Sequence, residues 1–197
     1  MWGKPKQCHK KKYSYELGVD VCLRSAFCPD LRFDINEGPV SLCVFALGAQ
    51  AESSRKPPKS PLMFNETLSF KQKIDSPNEV SCDRLLLGDK HLFMELVQWG
   101  DCDDYQYGNT CAEYCTPLSE FLPRDCDLPF SLNRSTDYGG VEKKVLMKPT
   151  LGVEDEEQDP KVTLHFEVDI HFQEIDNYCG NKLRNAFNSL NGLCNFI

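Results

Sequence analysis

Two runs of strict alternation set the limits on what this chain can become. In residues 161–172, Val162, Leu164, Phe166, Val168, Ile170 and Phe172 alternate with Lys161, Thr163, His165, Glu167, Asp169 and His171. A period of two buries one face and leaves the other wet, as in a strand of a sheet. From Tyr13 the pattern recurs: Tyr13, Tyr15, Leu17, Val19, Val21 and Leu23 share one face, with Ser14, Glu16 and Asp20 on the other. Such strands need partners, because an isolated two-stranded ribbon is marginal in water.

Further strands follow from the same reading. Residues 40–47 are apolar on both faces, as in the central strand of a sandwich, and Phe64, Leu68, Phe70 and Ile74 mark another strand before the turn at Asp75, Ser76, Pro77 and Asn78. Residues 91–99 give one more, and a short strand is expected through Leu31, Phe33 and Ile35. Residues 49–61, rich in Ser, Lys and Pro, read as a polar surface loop. About five strands separated by turn clusters in residues 13–100 point to an antiparallel sandwich rather than a βαβ fold. Beyond Cys126 the chain reads as linker through Gly139 and Gly140 to an acidic loop at residues 154–160. At the C-terminal end, Leu183, Ala186, Phe187 and Leu190 stand at helical spacing, bracketed by Cys179 and Cys194.

Composition narrows the class. With 41% hydrophobic and 26% charged residues in 197, the chain has the material for a globular core. A net charge of -8 argues against a nucleic-acid footprint, which needs a clustered basic surface. Eleven cysteines favour an oxidising compartment, and the odd count leaves one thiol over. Secretion is therefore expected, with Asn65 and Asn133 as glycosylation sites in their Asn-x-Ser/Thr sequons. The first 12 residues carry charge but no apolar run, so no signal peptide is visible and secretion implies a start outside this chain.

Residues 102–126 concentrate the cysteines. Cys102, Cys111, Cys115 and Cys126 fall there with Tyr105, Tyr107 and Tyr114, and too little apolar mass accompanies them for an ordinary core. Disulfides or a metal would have to hold such a segment. Cys111 and Cys115 are separated by three residues, but Cys102 and Cys126 form no second knuckle, which disfavours zinc. Asp101, Asp103 and Asp104 offer carboxylates for calcium, although a hydrated loop tip explains them more simply. His165 and His171 lie about 20 Å apart on an extended strand, too far for one ion. No Gly-x-Ser-x-Gly, phosphate-loop or His-Glu-x-x-His pattern occurs, so no enzyme is expected.

The same stretch resembles the DSL domain of the Delta, Serrate and Jagged ligands of Notch receptors. The likeness rests on Cys102, Tyr105, Tyr107 and Gly108, then Cys111, Cys115 and Cys126, with Pro117, Glu120 and Phe121 in matching places. Thr116 and Leu118 stand where the family has arginines, and Leu122, Pro123 and Arg124 replace a Gly-His-Tyr segment. The resemblance implies disulfides Cys102–Cys111 and Cys115–Cys126, a turn at Gly108, and a receptor-binding face of Tyr105, Tyr107, Pro117, Glu120, Phe121 and Leu122. It also implies a mainly β fold in which a C2-like sandwich at residues 13–100 precedes a DSL-like knot at 101–127. A basic tail at 1–12, a linker at 128–160 and a strand plus short helix at 161–197 complete the expected order. The function implied is a secreted ligand or modulator that binds the EGF repeats of a Notch-type receptor, with weak membrane-surface contact through the C2-like domain. The alternatives are a secreted cysteine-rich interaction protein with an unrelated partner and a reduced intracellular zinc protein.

Overall fold

The two alternating runs lie side by side. In a computed structural model that describes residues 13–29, 33, 38–76, 87–100, 108–122, 136–150 and 161–175, β1 (Tyr13–Phe27) pairs antiparallel with β8 (Val162–Ile175). Leu17 faces Phe172, Val19 faces Ile170 and Val21 faces Val168, so the apolar sets of both strands point the same way. On its other side β1 pairs with β4 (Leu62–Ser76), with Val19 opposite Phe70 and Val21 opposite Leu68. β8 in turn pairs with β7 (Thr136–Pro149), which completes one four-stranded half.

The other half is built from β2 (Val40–Ala46), β3 (Ala49–Glu52), β5 (His91–Trp99) and β6 (Gly108–Pro117), in the order β3-β2-β5-β6. A joint of two residue pairs, Ala112 with Pro149 and Glu113 with Lys148, connects β6 to β7. With so little pairing at the joint, the continuous eight-stranded sheet folds on itself, and its two halves enclose one core. Tyr15, Leu17, Val19, Val21 and Leu23 of β1 are buried there with Leu42, Val44, Leu92, Met94 and Leu96 from the other half. Each such side chain contributes about 1.5–3 kcal/mol by leaving water. The halves also meet through rings: Phe166 of β8 stands 5.9 Å from Tyr114 and 6.1 Å, edge-on, from Phe121.

The mainly β, antiparallel character expected from the sequence is present, with differences of detail. The expected loop at residues 49–61 begins with a strand: Leu47 and Gly48, at φ 53° and 77°, make a two-residue turn that returns the chain along β2 as β3. Positive φ at both central positions matches the right-handed twist of a hairpin. The expected linker contains β7, whose inward row mixes Val141, Val145 and Met147 with Lys143, opposite Phe166. Lys143 is accommodated because its ammonium lies 4.5 Å from the centre of the Phe121 ring, on the π face.

Where it is described, at residues 108–122, the segment expected to form a disulfide knot is a strand followed by a turn. β6 pairs with β5 from Gly108 opposite Trp99 to Pro117 opposite His91, and a 3₁₀ turn, Leu118–Phe121, follows. Gly108 is not a turn residue: a β-carbon there would collide with the Val97 side chain and come within 3.2 Å of Trp99. It is the close approach of β5 that excludes a side chain. Phe33, from the expected strand at residues 31–35, is outside any strand and packs partly buried against the core; Leu31 and Ile35 lie outside the described residues, as does the expected helix at 182–190.

Candidate functional site

The residues expected to bind a receptor do not assemble on the surface. Phe121 is 1% exposed and Leu122 6%, both inside the sandwich. The turn that carries Phe121 is anchored by Leu118 N–H donating to Lys90 O at 2.9 Å, which drives the ring against Phe166. Pro117 and Glu120 are exposed, while Tyr105 and Tyr107 lie outside the described residues.

The cysteines likewise separate. Along β6, Cys111 faces the core and Cys115 faces solvent opposite Phe93, so the two thiols point to different sides of one strand. Cys111 is a buried thiol directed at Asn109 O, 3.5 Å away. Cys111 and Cys115 thus sit on one continuous strand, at its inner and outer faces. Their expected partners, Cys102 and Cys126, lie outside the described residues, as do Asp101, Asp103, Asp104 and Asn133. Cys22, Cys28 and Cys43 are thiols too, and no cluster of three or more His, Cys, Asp or Glu able to hold a metal exists among the described residues. Asn65 is exposed on β4 with φ 50°.

A surface feature absent from the sequence reading stands on the outer face of the β7-β8-β1-β4 half. Phe27, Met63 and Leu146 are exposed at 53%, 51% and 64%. The register gathers them at one end: Thr163 lies between Leu146 on β7 and Phe27 on β1, and His165 lies between Lys144 and Ser25, which faces Met63 on β4. Alternation counted from Leu23 would bury Phe27. A bulge between Leu23 and Ser25 shifts the parity by one, so that Ala26 turns inward and Phe27 outward.

The rim of this patch is basic. Lys144 stands beside Leu146 on the same face, and Lys148 and Lys161 are exposed at the same end. The nearby carboxylates are engaged: Arg24 donates to Glu167 at 2.9 Å, and His165 Nε2 contacts Glu142 Oε1. The hydrogen bond from His165, followed by its charge, holds the Glu142 carboxyl below the usual carboxylate range. Farther along the face, His171 lies 3.1 Å from Asp20 and Lys71 lies 2.9 Å from Glu16. An apolar centre, a cationic rim and neutralised acids suit association with a macromolecular surface.

Among solved structures, the chain is similar to the portion of Extended-Synaptotagmin 2 that holds its SMP domain and two C2 domains, at 14% identity and a TM-score of 0.47, covering 80% of this chain and 28% of that one. It is also similar to a C2 domain of a plant Extended Synaptotagmin 1, at 9% identity and a TM-score of 0.48, covering 81% and 96% of the two chains. The chain thus spans little more than a quarter of the first protein. No curated protein matches it. A family model does match, over residues 19–170, which takes in β1 from its seventh residue through most of β8 and the whole cysteine-dense stretch. That model is neither a DSL domain nor any other Notch-ligand module, so the expected ligand role and its receptor EGF repeats are corrected. With most of its strands inside the matched range, the chain belongs to the SPATA6 family, spermatogenesis-associated protein 6.

Proposed function

We propose that this chain is a non-catalytic docking module that serves spermatogenesis, as the family's name states, by holding a partner protein on the outer face of its β7-β8-β1-β4 half. The observation that carries the reading is the convergence of Phe27, Met63 and Leu146 on one end of one sheet face. Isolated exposed apolar residues are ordinary, whereas three gathered at one end of one face, on three of its four strands, form a patch of the kind that interfaces use. The partner is acidic around an apolar centre, complementary to Lys144, Lys148 and Lys161. A flat sheet face edged by ion pairs suits a protein surface better than a lipid one, which apolar loop tips or an amphipathic helix would enter.

The test is retention of proteins from an extract of spermatogenic cells on immobilised wild-type chain and on two variants. Leu146→Glu places an acid within the patch, and Lys71→Glu reverses a charge at the far end of the same face. The proposal expects a retained protein that is lost at least tenfold with Leu146→Glu, kept with Lys71→Glu, and displaced as salt rises. Equal retention by both variants overturns the site. Flotation with phosphatidylserine vesicles in place of a retained protein would make the partner a membrane and overturn the protein reading.

A further inference from the structure

The two outer edges of the sandwich, β3 and β4, run close to one another. They are tied at one end, where Ser54 N and Oγ donate to the Glu66 carboxylate at 3.0 and 2.8 Å. Toward the other end they part around a cavity of about 490 Å³. Its walls include the Leu47–Gly48 turn, the Phe45 and Phe93 rings at 5.6 Å centroid separation, Gln72 of β4, and Lys90 and His91 at the start of β5.

Three chemical demands meet there. Gln72 lines the cavity, and its buried side-chain oxygen is an acceptor in want of a donor. The Phe45 and Phe93 rings offer an apolar wall. Lys90 offers positive charge, and His91, whose Nδ1 is taken by Asp89 O at 2.6 Å, leaves its other ring nitrogen toward solvent. The edge of β3 adds a fourth. Ser53 N–H donates to Leu42 O at 2.8 Å, so by alternation Ala51 and Ala49 also bond to β2, and the N–H and C=O of Gln50 point away from it.

We propose that this cavity and the edge of β3 bind an extended peptide segment of a partner protein, in which an apolar residue adjoins an acidic one. The segment pairs with Gln50 as an added strand, donates an N–H to Gln72 Oε1, lays its apolar side chain on Phe45 and Phe93, and sets its carboxylate at Lys90 and His91. A peptide meets all four demands together. A fatty acid supplies the apolar chain and carboxylate but no N–H, and a sugar supplies donors but no apolar body. The site lies apart from the Phe27 patch and does not rest on it.

The experiment is selection of a phage library of random dodecamers on the full chain, followed by fluorescence anisotropy with the enriched peptides. Enrichment of an apolar residue next to Asp or Glu is expected, with at least tenfold weaker binding to Lys90→Glu and several-fold weaker binding to Gln72→Leu. Hydrogen exchange at the Gln50 amide should slow when peptide is bound. Unfolding midpoints close to that of the wild type show that both variants fold. The proposal is overturned if no sequence is enriched, if Lys90→Glu binds equally well, if the Gln50 amide is unaffected, or if decanoate displaces the peptide.

Discussion

Phe121 and Phe27 exchange the roles that their sequence neighbourhoods suggest. Phe121, in a polar, proline-flanked stretch, is a core ring against Phe166, while Phe27, at the end of the best-patterned strand of the N-terminal half, is half exposed. Phe121→Ala should lower stability by about 3–5 kcal/mol, read as a reduced urea midpoint, because it leaves a cavity under two strands. Phe27→Ser should leave the midpoint nearly unchanged. The thiols sort the same way. Cys115 is exposed and should take iodoacetamide in the native protein, whereas Cys28, Cys43 and Cys111 are buried and should react only on unfolding. Burial, with Cys111 nearby, pushes the Cys28 thiol up from 9.0 to about 12. The unfolded chain therefore loses this proton first. Stability is full below pH 9 and falls as pH rises toward 12, by about 1.4 kcal/mol per unit at most from this group. A midpoint that held steady from pH 8 to 11 would contradict that burial.

Strands with clean alternation are legible as strands, and those with a mixed inward row are not. β1, β2, β4, β5 and β8 follow from period two or from continuous apolar runs. β7 is obscured by Lys143, whose charge is accommodated by the Phe121 ring, on a turn that no local pattern connects to it. β6 is obscured by its cysteines, which resemble a knot when only their spacing is considered, though one faces inward and the other outward. The Phe27 patch is hidden by a bulge, because one extra residue inverts every later assignment on the strand. Deleting Arg24, the residue inside that bulge, leaves Leu23, Ser25, Ala26 and Phe27 in plain alternation, so Ala26 should stay inward and Phe27 outward with no bulge between them. The deletion should therefore preserve retention of the partner protein and change the thermal midpoint little, since the ion pair it removes, Arg24 with Glu167, is a surface one. Loss of retention would contradict this register.

At the scale of the whole molecule, the sandwich carries two candidate binding places on different sides. One is a flat, basic-rimmed apolar face, and the other is the cleft between two strand edges. Neither uses the residues that the DSL-like spacing singled out, because among the described residues that spacing belongs to a strand and a buried turn. The cysteine count speaks for an oxidising compartment, yet the five described cysteines are thiols and contribute nothing to cross-linking. The other six of the 11 decide the matter. Labelling under denaturing conditions without reductant should mark at least Cys22, Cys28, Cys43, Cys111 and Cys115; a secreted chain would protect some of the remaining six, and a reduced one would show all 11 labelled.

The placement of β1 between β4 and β8 has a consequence for how the molecule is made. β1 ends at Phe27, but one of its two neighbours begins only at Val162. During synthesis, Leu17, Val19 and Val21 wait with one ladder of backbone groups unsatisfied while the residues between Phe27 and Val162 are produced. Closure at such sequence distance is slow and leaves an adhesive edge open on the ribosome. Cells that make this protein in quantity therefore face a period in which nascent chains are best kept apart, and a message truncated before β8 would yield a product that aggregates rather than one that merely lacks a strand.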